Sequence, residues 1–140
     1  MFRPKSPPMK TQTKTQKKYR AKIKRKRKEA DRLWIRVCLE EYGSLCEVCG
    51  KPAVDVHHFI PKSLSARLRL DIKNGVPLCR SCHFAHHFKA DPSISASIIN
   101  KRGSDWYEYL QAHRNDDTTT TLSFFEDAIK KLKEYLNDKI

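Results

Sequence analysis

The chain has 140 residues, with 29 Lys and Arg against 16 Asp and Glu and a formal net charge of +13. That length suits one compact domain with extensions. No run of 18 apolar residues occurs and the N-terminus has no apolar signal centre, so neither a membrane span nor secretion is expected. The charge is concentrated: 13 of the basic residues lie in the first 28, where no acid occurs, and the remaining 16 balance the 16 acids. A polycationic arm on a neutral body suits a polyanionic partner, because neutralised phosphates release counterions; an acidic membrane surface or a solvated tail with no partner are the alternatives. In a reducing cytoplasm, five cysteines are expected as ligands or free thiols rather than disulfides.

In chain order, residues 1–16 are rich in Pro, Thr and Lys and read as disordered. Residues 17–42 read as a helix, with Tyr19, Ile23, Ala30, Trp34, Cys38 and Tyr42 near a three-to-four period and Gly43 placed to end it. Its basic first half is expected to fold on its partner. The half from Asp31 is expected to pack on the body through Leu33, Trp34, Val37 and Cys38. CEVCG, residues 46–50, reads as a tight turn, and AVDVHHF, residues 53–59, as a strand. Residues 61–73 read as a loop and GVPL, residues 75–78, as a second strand, followed by a short helix through Phe88. Asp91-Pro92 starts a helix to about Arg102, Gly103 ends it, and Ser104 begins another. Residues 115–121 read as a polar linker. Ser123 and Glu126 fit a capping box for a last amphipathic helix that either covers the core or meets a partner. The divisions expected are a basic arm over 1–30, a core over 31–90 and a helical extension over 91–140.

Cys46-x2-Cys49 and Cys79-x2-Cys82 form two knuckles separated by 29 residues. A CxxC turn brings two sulfurs to one side of the backbone, and two such turns complete a tetrahedral zinc site. The alternative is two unrelated pairs in a core. Cys38 is the odd cysteine and is expected to be buried.

Five of the six histidines lie at His57, His58, His83, His86 and His87. Neighbours on a strand face opposite ways, so one of His57 and His58 can ligate a metal while the other faces a substrate. His83 and His87, four apart on a helix, share a face. With His57 they offer three nitrogens to one divalent ion, leaving His58 as a base on water. His86 can replace His87 in this set, and Asp55 or another group can replace His57. Asn74, before Gly75, also fits as a plain turn former. Lys24, Arg25, Lys26, Arg27, Lys28, Lys62, Arg67 and Arg69 are candidate phosphate contacts, with solvated loop charges as the alternative for several. Trp106, Tyr107 and Tyr109 suit either base stacking or the core. KRKRK, residues 24–28, also resembles a nuclear localisation run.

The pattern D-x-H-H, then Asn74, then H-x3-H resembles the HNH endonuclease motif of the ββα-metal fold, and the CxxC pairs resemble its zinc-stapled branch. The resemblance covers about residues 46–88. It implies an α+β fold: a small ββα-metal core with a four-cysteine zinc site, flanked by α-helices and the basic N-terminal arm. It also implies His57 as first metal ligand, His58 as general base, Asn74 as the loop brace that orients the base, and His83 and His87 as helix ligands. Asp55 matches an acidic position that helps position such groups. The context HFIPKS…RLRLDIKNGVPLCRSCH with IINKRGSDWYEYL is similar to the phage recombination nuclease family called NinG or Rap, whose members act on branched DNA.

The expected activity is therefore metal-dependent hydrolysis of DNA phosphodiesters in a bacterial or phage-infected cytoplasm. Zn²⁺ is expected in the structural site. Mg²⁺ or Mn²⁺ is expected in the catalytic site, where imidazoles also suit Zn²⁺ or Ni²⁺. A homodimer would supply two active sites to a junction. The rival readings are a non-catalytic zinc module that binds nucleic acid and a toxin or restriction-type HNH nuclease.

Overall fold

The computed structural model describes residues 3–8, 10–115 and 118–139. It is a mixed helical structure around one small antiparallel sheet and a cysteine cluster. Parts of the expected disordered segment (residues 1, 2 and 9) and of the polar linker (116 and 117) lie outside the described residues.

The first element, α1, runs Lys14–Tyr42 without a break. It starts earlier than residue 17 because Thr13 and Gln16 form a reciprocal capping box: the Gln16 amide N–H donates to Thr13 Oγ1, and the Thr13 amide to Gln16 Oε1. Gly43 ends it at φ 84°. The basic half is helical together with the body-facing half, which buries Ala30, Trp34, Val37 and Cys38. Leu33 is only half-buried.

Strand β1 (Asp55–His58) pairs antiparallel with β2 (Gly75–Leu78), with Val56 opposite Pro77 and His57 opposite Val76. Pro77 cannot donate, and a two-stranded sheet tolerates it because both strands are edges. Its carbonyl accepts the Glu47 amide, which ties the first knuckle to β2. Between the strands, residues expected as an irregular loop form two short 3-10 turns, Arg67–Leu70 and Ile72–Asn74. The Asp71 carboxylate caps the second by accepting from the Lys73 amide.

Gly75 is extended, with φ −90°. It is therefore not a conformational turn former here. Its missing side chain leaves room for α1: a Cβ would overlap Cys38 Sγ and lie 3.1 Å from a Trp34 ring carbon.

Helix α2 (Arg80–Phe88) follows β2, capped by the Cys79 side chain. Helix α3 (Pro92–Arg102) is capped by Asp91, and α4 (Ser104–His113) follows Gly103. Helix α5 (Leu122–Asp138) is capped by Thr121, whose Oγ1 accepts from the Phe124 amide. This replaces the expected Ser123 box, because the helix begins before Ser123. Phe125, Ile129 and Leu132 of α5 are buried with Trp34, Val37 and Cys38. Each large apolar side chain so buried contributes roughly 1.5–3 kcal/mol. The apolar face of α5 thus covers the core.

The C-terminal helices are tied to the hairpin by polar contacts. Arg102 donates to both Glu47 carboxylate oxygens and, at 2.8 Å, to the Gly75 carbonyl. Its guanidinium also lies 3.7 Å from the Tyr42 ring centroid. Trp106 Nε1 donates to the Lys73 carbonyl at 2.7 Å, and Tyr109 donates to Asp71 at 2.6 Å. Trp106 and Tyr109 are therefore braces of the hairpin loop rather than open stacking platforms, while Tyr107 is 36% exposed. His113 Nδ1 lies 2.7 Å from the Tyr109 carbonyl. No described helix is long and apolar enough to cross a membrane.

Candidate metal centres

The two knuckles meet. Cys46, Cys49, Cys79 and Cys82 bring their sulfurs within 4.8 Å of one another. Hydrogen bonds from Cys46 N to Lys51 O and from Gly50 N to Cys46 O shape the first turn, and Gly50 takes φ 77°. Cys79 and Cys82 lie where β2 passes into α2. A tetrahedral zinc–thiolate site has arms of about 2.3 Å, a span these sulfurs match. Burial and then its thiol neighbours push the Cys82 thiol up. Burial acts the same way on Cys46, but amide donors of Cys79, Cys49 and Val48 together bring it down to about 6. Four sulfurs this close cannot all ionise without a cation among them, so this donor set fits Zn²⁺.

The adjacent histidines separate as strand alternation requires. His57 faces α2, where its ring centroid lies 5.5, 4.6 and 4.8 Å from those of His83, His86 and His87. His58 faces α1 and stacks on Trp34. One nitrogen each of His57, His83 and His87 lies within 4.8 Å of the others. His86 instead directs Nδ1 toward Ser95 Oγ of α3, at 3.5 Å. Of the two, it is His87 that joins His57 and His83 in the group of converging nitrogens. His57 is 5% exposed, and its Nε2 is buried without a hydrogen-bond partner. Such an orphan costs on the order of 1–3 kcal/mol unless something binds it. Burial first, then the neighbouring imidazoles, lower the His57 pKa to about 3. Burial and then His87 lower that of His83. Neutral imidazoles are the ligating form, so the set fits a divalent cation.

Asp55 lies beside this group, with Oδ2 3.8 Å from His83 Nδ1. Its Oδ1 accepts from the Val56 amide. Asp55, His57, His58, Lys62, His83 and His87 share one open cleft of about 310 Å³.

His58 Nε2 lies 2.9 Å from the Arg69 carbonyl. A carbonyl only accepts, so the hydrogen is on Nε2 and Nδ1 keeps its lone pair. Burial holds the His58 pKa below its ordinary value, which favours the neutral ring. Asn74 is fully buried. Its Nδ2 donates to the Ile60 and Leu68 carbonyls, and its Oδ1 accepts from the Ile60 amide. It thereby closes the loop whose next carbonyl, that of Arg69, receives His58.

The basic candidates divide. Lys62 lines the cleft. Lys24, Arg25 and Lys28 are exposed on α1, Arg27 is half-buried, and Lys26 pairs with Glu29 at 3.7 Å. Arg67 lines a separate groove against α5. Arg69, another of the candidates, donates through Nε and Nη2 to the two Asp31 oxygens at 3.1 and 2.8 Å. That fork joins the loop to α1. Spacing alone pointed to none of Asp31, Glu47 or Arg102; an acid inside the first knuckle was the one visible hint.

Residues 46–89 match the family model described as HNH endonuclease. A 46-residue stretch is 48% identical to the mitochondrial DNA mismatch repair protein mutS homolog of Sarcophyton glaucum, covering 30% of this chain and 5% of that protein. The chain thus spans about a twentieth of that relative's length. No solved structure matches the chain.

Proposed function

We propose that the protein is a metal-dependent DNA endonuclease that hydrolyses phosphodiester bonds at the cleft between β1 and α2. The observation that carries this reading is the orphaned, buried Nε2 of His57, a ring that converges with His83 and His87, beside a histidine whose own Nε2 is taken. The nuclease family matched by residues 46–89 and the DNA-repair name of the similar protein agree with it.

His57, His83 and His87 would hold a divalent cation, which would supply positive charge to stabilise the negative charge that builds on the phosphate. His58 accepts a proton at Nδ1 from the attacking water, while the Arg69 carbonyl retains the proton at Nε2. Asn74 fixes that carbonyl's loop. Asp55 orients His83. Lys62 receives the backbone at the cleft mouth, and the exposed cations from Lys24 to Lys28 supply affinity that is independent of sequence. Zn²⁺ in the four-cysteine site staples the hairpin to α2. Mg²⁺ or Mn²⁺ is the working ion, with Zn²⁺ or Ni²⁺ able to occupy the same imidazoles.

Branched or recombination intermediates are the proposed substrates, on the sequence similarity around residues 58–83 and 98–110. A homodimer would bring two clefts to one junction; since α5 is already engaged with α1, its interface would lie elsewhere.

Nicking of supercoiled plasmid with Mn²⁺ tests the reading. The wild-type chain is expected to nick and linearise, and His58→Ala to lose at least about 100-fold in rate at saturating DNA with zinc content unchanged. Full activity in His58→Ala, or none in the metal-loaded wild type, would contradict it.

A further inference from the structure

We infer that Trp34 and Asp31, both on α1 and both outside the matched segment 46–89, are positioning residues that fix the His58 ring with its hydrogen on Nε2 and its lone pair on Nδ1. The inference rests on the nuclease reading above and extends it to a helix on which that reading placed only DNA affinity.

Two contacts restrain the ring: α1 makes one directly and braces the other. The Trp34 indole lies flat against the imidazole, with centroids 4.1 Å apart and planes 10° from parallel. Trp34 is itself immobile: it is 1% exposed, and its Nε1 donates to the Asp71 carbonyl at 2.8 Å. Gly75 lets it approach the hairpin. At the ring's far edge, Nε2 meets the Arg69 carbonyl. Arg69 is fixed in turn by its two-pronged contact with Asp31, and a charge-assisted fork of this kind is geometrically specific. A ring turned over about its own axis would set a carbon against that carbonyl. The stack forbids tilting, and the hydrogen bond forbids turning over.

The arrangement also has mechanical content. Lys28 is six residues before Trp34 on one unbroken helix, about 9 Å along its axis. DNA seated on the basic turns is thereby referenced to the base by a single rod.

The test uses the full-length, zinc-loaded chain and four variants: Trp34→Phe, Trp34→Leu, Asp31→Asn and the control Val37→Ala. Val37 is fully buried in the same core cluster. The first readout is the long-range ¹H–¹⁵N imidazole spectrum at neutral pH without the catalytic ion. The His58 signals are expected in the Nε2–H pattern alone for wild type, Trp34→Phe and Val37→Ala, and as a tautomer mixture for Trp34→Leu and Asp31→Asn. The second is single-turnover cleavage with Mn²⁺ at saturating DNA. Trp34→Leu and Asp31→Asn are expected to slow roughly 10- to 100-fold, within the range of general-base catalysis, at unchanged half-saturation and zinc content. Trp34→Phe and Val37→Ala are expected to stay close to wild type. An Nδ1–H or mixed pattern in the wild type overturns the inference. So does an equal loss in Val37→Ala. If His58→Ala is inactive while Trp34→Leu and Asp31→Asn run at full rate, the nuclease reading stands and this inference falls.

Discussion

Two adjacent histidines illustrate how much of this chain is readable from single positions. Alternation along a strand requires His57 and His58 to face apart, and four-residue spacing aligns His83 with His87; both hold in the structure. What lies behind His58 was not readable. Trp34 and Asp31 are 24 and 27 residues upstream, and nothing local distinguishes them from ordinary positions on an amphipathic helix. Gly75 carries the same lesson. Its place after Asn74 suggests a turn, whereas its function is to let Cys38 and Trp34 approach the hairpin. A steric origin makes a specific prediction. Gly75→Ala should cost roughly 1–3 kcal/mol, as overpacking does, and Cys38→Ala should restore part of that loss by removing the sulfur the new methyl meets. Urea unfolding of the two single variants and the double variant gives the coupling. Additive costs would show that the close approach is not what requires glycine.

Among the elements, helices with their own caps and stripes were legible: α3 begins at Asp91-Pro92 and stops at Gly103 as expected. Errors arose where the deciding contacts are distant. The residues expected as loop before β2 become two 3-10 turns because side chains from other helices anchor residues 71 and 72: Trp34, which donates to the Asp71 carbonyl, and three titratable groups. Cys38 Sγ and Tyr42 Oη approach the Ile72 carbonyl, and Tyr109 donates to Asp71. Burial, with Asp71 adding to it at Cys38 and Tyr109, pushes all three protons up to about 12. The sign follows: folded pKa values above the unfolded ones give stability that is complete below about pH 9 for the thiol and about pH 10 for the phenols, and that is lost as pH rises toward 12. The urea midpoint should therefore fall through this window, and Tyr42 and Tyr109 should titrate late by ultraviolet absorbance. Tyr42→Phe with Tyr109→Phe should flatten the fall. A midpoint that ignores both pH and the double variant would contradict the anchoring of this turn.

Considered as a whole, the molecule is organised from both sides of a hairpin of two four-residue strands. On one side lie the cysteine cluster and α2. On the other lies α1, which α5 covers and which extends into the basic segment. The paired CxxC knuckles and the histidine spacing made the first side visible in sequence, because these cysteines and histidines cluster in two short stretches. The second side depends on long-range packing, as does the Glu47–Arg102 pair that ties the first knuckle to α3, its members 55 residues apart. The hairpin thus presents imidazoles from β1 and α2 to a common point, and the proposed chemistry requires that they bind a cation there. Calorimetric titration of Mn²⁺ into zinc-loaded protein measures this. One further ion per chain should bind in the wild type and in His86→Ala, with binding lost or weakened at least about 10-fold in His57→Ala and His83→Ala. No second ion in the wild type, or undiminished binding in His57→Ala, would contradict the proposed centre.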